Sequence, residues 1–311
     1  HYYSVFRAFP ALGPSTGGTV IHLNGTELQR NYSSRTCRFG EVLVGASIVE
    51  GTNDLTCVSP VSPNNDVYQQ ALTVSLNGVD ELHVLDFNWY RDPQIWTLVP
   101  QQGSSAGGTT VTATGNGIVY SAAPTIRIGS AYVPATFHPG SYESANAVVF
   151  VTPPLSAGVD AYVSVSLDGQ YYGPETVFGP LDELAAVSVT PSSGSYRGGT
   201  SVNVAMRGMQ GLWRADQLRC RIGNTTVNGG YAAAGVISCP VPPLDYTDAD
   251  ASTLASLEDA LNITSVADAN GVRTWPTTPQ PVWPGLPRGV DIEVSVNSVD
   301  FSVGSAVKFY Y

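Results

Sequence analysis

Hydrophobic and polar positions alternate with period two along several short stretches of this chain. Leu72-Thr73-Val74-Ser75-Leu76 is one; Val163-Ser164-Val165-Ser166-Leu167 and Ile292-Glu293-Val294-Ser295-Val296 repeat it. A period of two sends one set of side chains to a core and the other to water, so each stretch predicts a half-buried β-strand. Asn77-Gly78 and Asp168-Gly169 directly follow two of these strands. Both pairs tolerate positive φ and predict tight hairpin turns. Gly-Gly-Thr steps read as turns feeding β-branched strands. Helical spacing occurs in one place, where Leu254, Leu257 and Leu261 share a face and Asp248 or Asp250 could cap the helix.

The strands belong to a threefold internal repeat. Pro10, Gly13, Gly17, Gly18 and Thr19 return as Pro100, Gly103, Gly107, Gly108 and Thr109, then as Pro191, Gly194, Gly198, Gly199 and Thr200. Offsets of 90 and 91 residues match the size of one small β-sandwich. Cys37-Arg38-Phe39-Gly40 aligns with Ile126-Arg127-Ile128-Gly129 and Cys220-Arg221-Ile222-Gly223. Cys57-Val58-Ser59-Pro60 aligns with Phe150-Val151-Thr152-Pro153 and Cys239-Pro240-Val241-Pro242. Each unit closes on aromatics, at Phe87-Asn88-Trp89-Tyr90, Val177-Phe178 and Phe309-Tyr310-Tyr311.

This pattern resembles the IPT/TIG branch of the immunoglobulin-like folds, over nearly the whole chain. The resemblance implies an all-β chain of three tandem β-sandwiches, in residues 1–91, 92–181 and 182–311. It covers receptor ectodomain stalks, adhesion proteins, transcription factors and accessory modules of starch-processing enzymes, so the fold alone leaves function open. The linkers, Arg91-Asp92-Pro93 and Leu181-Asp182-Glu183-Leu184, are short and not rich in Gly or Ser. They predict an elongated, semi-rigid rod.

The third unit carries an insertion at about 243–289. Its first part holds the expected helix. Its second part packs five Pro into residues 275–287 and favours polyproline II. Trp275 and Trp283 lie there; folding back over the sheet is one use for them, and binding a partner is the other.

Four Cys occur. Cys37 and Cys57 in the first unit match Cys220 and Cys239 in the third, while the second has Ile126 and Phe150 at those places. Paired loss to apolar residues is what buried disulfides predict, so Cys37 pairs with Cys57 and Cys220 with Cys239. Each loop of about 20 residues contributes roughly 3 kcal/mol in the chain-entropy account. Sequons stand at Asn24, Asn31, Asn224 and Asn262, and three of them (Asn24, Asn31 and Asn224) read as turn-like. Together with the disulfides they point to the secretory route and to N-glycans.

Composition narrows the function classes. The net charge of −11 opposes nucleic acid and anionic membranes. No run of about 18 apolar residues occurs, so any membrane anchor lies outside this sequence. The start at His1 has no leader pattern, which marks a processed product or a piece of something larger. No metal is expected, because there is no Cys-x2-Cys and the four His show no ligand spacing. No cofactor fingerprint is present. Gly13-Pro14-Ser15-Thr16-Gly17 and Gly103-Ser104-Ser105-Ala106-Gly107 fit the string of a hydrolase elbow. Both precede a strand rather than a helix, and the third copy has Tyr196 at the centre, so a turn explains all three. Glu81, Asp86, Asp182 and Glu183 read as solvated. The expectation is a non-catalytic extracellular ectodomain for adhesion or surface recognition, meeting a protein on another cell or in an extracellular assembly. A gamete or flagellar surface would suit its composition. A structural filament subunit is the alternative, and a carbohydrate-binding accessory module is a third.

Overall fold

The computed structural model describes residues 3–29, 34–63, 67–141, 145–209, 215–244, 266–267, 273–274, 289–302 and 307–311. The first repeat holds β1 (Ser4–Phe9), β2 (Leu12–Pro14), β3 (Val20–Thr26), β4 (Thr36–Phe39), β5 (Val42–Ile48), β6 (Asp54–Val58), β7 (Tyr68–Ser75) and β8 (Leu82–Tyr90). The second holds β9 (Gln94–Val99), β10 (Gln102–Ser104), β11 (Thr110–Asn116), β12 (Thr125–Ile128), β13 (Ala131–His138), β14 (Ala147–Val151), β15 (Ala161–Ser166) and β16 (Thr176–Leu181). The third holds β17 (Ala185–Thr190), β18 (Ser201–Arg207), β19 (Arg219–Ile222), β20 (Thr225–Asn228), β21 (Gly230–Ala233), β22 (Val236–Pro240), β23 (Val266–Ala267), β24 (Arg273–Thr274), β25 (Gly289–Ser295) and β26 (Lys308–Tyr310). The chain divides into two compact units, His1–Pro180 and Leu181–Tyr311. The helix expected near 250–261, Trp275, Trp283, Asn31 and Asn262 lie outside the described residues.

Each repeat is a two-layer sandwich. In the first, β1-β3-β6 form one layer and β4-β7-β8-β2 the other. Strand β5 joins both, pairing with β4 through Val42–Gly45 and with β6 through Ala46–Ile48. In the second, β13 does the same between β12 and β14. In the third, Gly229 splits that strand into β20, paired with β19, and β21, paired with β22. The apolar phase read in the sequence faces inward, as Leu72, Val74 and Leu76, Val163, Val165 and Leu167, and Ile292, Val294 and Val296 show; the opposite phase does not all reach water, because Ser75, Ser164, Ser166 and Ser295 are buried too. Each repeat has its own apolar cluster. Burying one such side chain contributes about 1.5–3 kcal/mol. Phe39, Phe87 and Trp89 fill the first core edge to face, with Phe87 and Trp89 centroids 5.0 Å apart.

The shared Pro-x2-Gly-x3-Gly-Gly-Thr has one physical meaning in all three copies. Gly13, Gly103 and Gly194 leave room for the side chains of Thr19, Thr109 and Thr200. At Gly17, Gly107 and Gly198 a Cβ would strike the backbone at Pro60, Pro153 and Pro242. Backbone bonds then tie this turn to the end of the neighbouring strand in the same layer: Gly18 N–H to Ser59 O, Gly108 N–H to Thr152 O and Gly199 N–H to Val241 O, each 2.9 Å.

The disulfides cross the sandwiches. Cys37 on β4 bonds Cys57 on β6, with Cα atoms 6.3 Å apart; Cys220 on β19 bonds Cys239 on β22, at 6.0 Å. Ile126 and Phe150 are buried at the corresponding places in the second core. The turns after the alternating strands are wider than a two-residue hairpin. Val74 pairs with Leu82, and Asn77 Oδ1 closes the loop between them by accepting from the N–H groups of Val79 (3.0 Å) and Asp80 (2.9 Å). Gly78 takes φ of 75° and Asn77 no positive φ, because the side chain substitutes for the tight backbone turn.

Candidate recognition surface

The outer face of the second layer carries the most organised group of exposed side chains. Strands β4, β12 and β19 each alternate buried and outward residues, and the outward one at the centre is an Arg. Arg38 stands between Cys37 and Phe39, Arg127 between Ile126 and Ile128, and Arg221 between Cys220 and Ile222. Each Arg pairs with a Glu. Arg38 Nε lies 2.6 Å from Glu81, Arg127 Nη2 lies 2.7 Å from Glu175, and Arg221 contacts Glu293 from the neighbouring strand. Glu81 also accepts from Thr73 Oγ1 at 3.0 Å. Arg38 first, and then Thr73, hold its carboxyl below the usual range. Glu81 therefore has a partner instead of the plain solvation expected of it. Asp86 meets His83 at 3.2 Å. Pairs this open to water contribute little to stability, because solvent screens them.

In the second repeat this Arg sits among tyrosines. Arg127 lies over the Tyr172 ring, 5.5 Å from its centroid, and Nε donates to Ser164 Oγ at 3.3 Å. Tyr172 meets Tyr132 edge to face at 5.5 Å. Burial, with Tyr132 alongside, raises the Tyr172 phenol above its ordinary range. Tyr132 pairs directly with Arg127 across β12 and β13, and Tyr162 follows one pleat along β15 from Ser164. Tyr132 is 62% exposed and Tyr162 55%. The result is a near-neutral patch of aromatic rings around a spent ion pair, able to stack and to hydrogen-bond but not to attract strong charge. In the third repeat the Arg221 guanidinium lies over Phe301, 4.4 Å from its centroid.

The other residues singled out in the sequence fall elsewhere. Asn224 is exposed on the turn between β19 and β20, where Ile222 pairs with Thr225. Asn24 is half-buried in the middle of β3, paired with Arg7 and Asp54, so its turn-like reading gives way to a strand. The Ile21-His22-Leu23 alternation preceding it was the signal for that strand. Ser15 and Ser105 sit in turns between strands, with their carbonyls accepting from Ser62 and Leu155. Among the described residues no three His, Cys, Asp or Glu side chains group as for a metal ion, and no helix is long and apolar enough to cross a membrane. The sequence reading passed over Tyr132 and Tyr162, although their phase opposite Val133 and Val163 marks them as outward.

Residues 93–178, the second sandwich, match the family model for the IPT/TIG domain. That match takes in nearly the whole of the second sandwich. With the repeat, the chain is a tandem of IPT/TIG-like units. Mouse plexin-A2 is 28% identical over 131 residues, and human plexin-A2 31% identical over 134. Each match takes in 40% of this chain and 6% of the plexin, so the chain spans a small part of these relatives. Among solved structures, the plexin A4 extracellular region aligns over 79% of this chain and 21% of its own, at 18% identity and a TM-score of 0.45. A Bacteroides ovatus surface protein, SGBP-B in complex with a mixed-linkage heptasaccharide, aligns over 96% of this chain and 66% of its own, at 10% identity and a TM-score of 0.27.

Proposed function

We propose that this chain is part of a non-catalytic extracellular ectodomain for surface recognition, and that the Tyr132–Tyr162–Arg127 face of the second sandwich meets a protein partner. The observation that carries the reading is this exposed Tyr/Arg group on a rigid sheet. Tyr and Arg are enriched among the residues that dominate binding energy at protein interfaces, and Tyr buries large area at small entropy cost. The two interlayer disulfides support an oxidising compartment. The plexin-A2 similarity supports a receptor-like context. N-glycans at Asn24, Asn31, Asn224 and Asn262 belong to the same proposal, and so does the third repeat's insertion with Trp275 and Trp283 as a second contact.

The test is cell binding by the secreted, disulfide-bonded chain, labelled and offered to cells of the source organism, gametes included. Saturable binding to one cell type, lowered at least tenfold by Tyr132→Ala with Tyr162→Ala, is the expected result. Binding that survives this pair but is lost on Trp275→Ala with Trp283→Ala would move the contact to the insertion. Self-association without cell binding would support a filament subunit, and affinity for soluble polysaccharide an accessory module.

A further inference from the structure

The hairpin turn of the second repeat departs from its two counterparts in a way that has a structural consequence. In the first and third repeats the turn residue is Asn. Asn77 Nδ2 donates to Asp80 at 2.9 Å, and Asn297 Nδ2 donates to Asp300 at 2.9 Å, both within their own turns. In the second repeat the residue is Asp168, and Tyr171 stands where the partner Asp would be. Asp168 Oδ1 still closes the turn, accepting from Gln170 N–H (2.9 Å), Tyr171 N–H (2.8 Å) and Ser166 Oγ (3.0 Å). Its other oxygen, Oδ2, accepts instead from Thr19 Oγ1 of the first repeat at 2.8 Å. Thr19 is 2% exposed and Asp168 4%.

Gln170 occupies the place of Val79 and Val299. Its amide pairs with the backbone of Val20, Nε2 donating to the carbonyl and Oε1 accepting from the N–H, both at 2.8 Å. Strand β1 stops opposite His22, so Val20 lies past its end. The amide side chain extends the ladder there by one residue. Two further features hold the same junction. Tyr90, the last residue of β8, is 1% exposed and packs in the second repeat's apolar cluster rather than the first's. A Cβ on Gly117 or Gly173 would strike the backbone of Arg91–Pro93, so these glycines let the linker lie against the second sandwich.

We propose that Asp168-Gly169-Gln170 is a latch that fixes the angle between the first and second sandwiches, making residues 1–180 one rigid body. A hydrogen bond to a buried carboxylate is among the stronger kinds, and removing the Thr19 hydroxyl takes that donor from a buried oxygen. The latch stands whether or not the proposed partner is correct, since its test involves no partner.

The experiment uses the full chain with thiol labels at Glu41→Cys and Ser130→Cys, one in each sandwich, both exposed. Pulsed spin-label distances should give one narrow distribution, and Thr19→Val with Gln170→Ala should broaden it severalfold. A broad distribution in the parent, or one equally narrow in the variant, overturns the latch. Because Thr19 is buried, a second measurement uses Gln170→Ala alone, an exposed substitution. Amide exchange at Val20 should accelerate at least tenfold, while Val79→Ala leaves it unchanged. Unchanged exchange in Gln170→Ala overturns the proposal.

Discussion

At the residue scale, glycines and one carboxylate separate the positions that matter from those that do not. Gly107 combines a φ of 83° with backbone at 2.7–2.8 Å from any added Cβ. Gly107→Ala should destabilise the second sandwich by about 1–3 kcal/mol, as expected for a strained backbone position. Gly45 on β5 has open space around it, and Gly45→Ala should be neutral or slightly stabilising. Urea denaturation of both variants checks the contrast. Tyr171 offers a pH prediction. Burial first, and then the Asp92 carboxylate, push its phenol up to about 12. Its unfolded value is near 10, so the contribution of the neutral phenol is full below pH 10 and is lost as pH rises through 12. Burial also raises Tyr90, Tyr172 and Tyr311, so an alkaline ultraviolet titration should show a late-titrating group of tyrosines that Tyr171→Phe makes smaller by one.

At the scale of elements, the repeat carries three solutions to the same packing problem. Two sandwiches join their layers with a disulfide, and the second fills the gap with Ile126 and Phe150. Replacing Cys220 and Cys239 by Ala should cost the third repeat about 2–5 kcal/mol and leave the other two unaffected. Thermal melts of the full chain and of a 1–180 fragment would separate the two effects. The edge strands show a second shared device. β1, β9 and β17 each skip one residue in pairing, at Phe6, Trp96 and Val187. These residues are exposed, and a bulge at that place keeps another strand from adding to the edge.

At the scale of the molecule, repeat boundaries in sequence and compact units in space are different things. Three apolar clusters exist, yet the first two repeats form one compact unit. Tyr90 explains part of this, since a cut after residue 91 strips it of the core that buries it. A 1–91 fragment should therefore unfold at lower denaturant than the same sandwich within 1–180. The emission of Trp89, buried in the first core, is the probe. Equal midpoints for the two fragments would mean that the second sandwich lends the first no stability.

Local chemistry was enough to read the β-class, the threefold repeat and the pairing of Cys37 with Cys57 and Cys220 with Cys239. Alternation, glycine spacing and paired substitution each leave a trace in a single sequence. The wide loop at Asn77 was not readable as such, because an Asn-Gly pair suits both a two-residue hairpin and a loop closed by the Asn side chain. Asn24 was misplaced in a turn because a sequon says nothing about backbone. The Tyr132–Arg127–Tyr172 cluster and the Asp168–Thr19 contact needed the tertiary structure. They join residues 45 and 149 positions apart, from Arg127 to Tyr172 and from Thr19 to Asp168. Only strand register and the docking of one sandwich on the next bring such residues within reach, and neither distance is encoded in any local pattern.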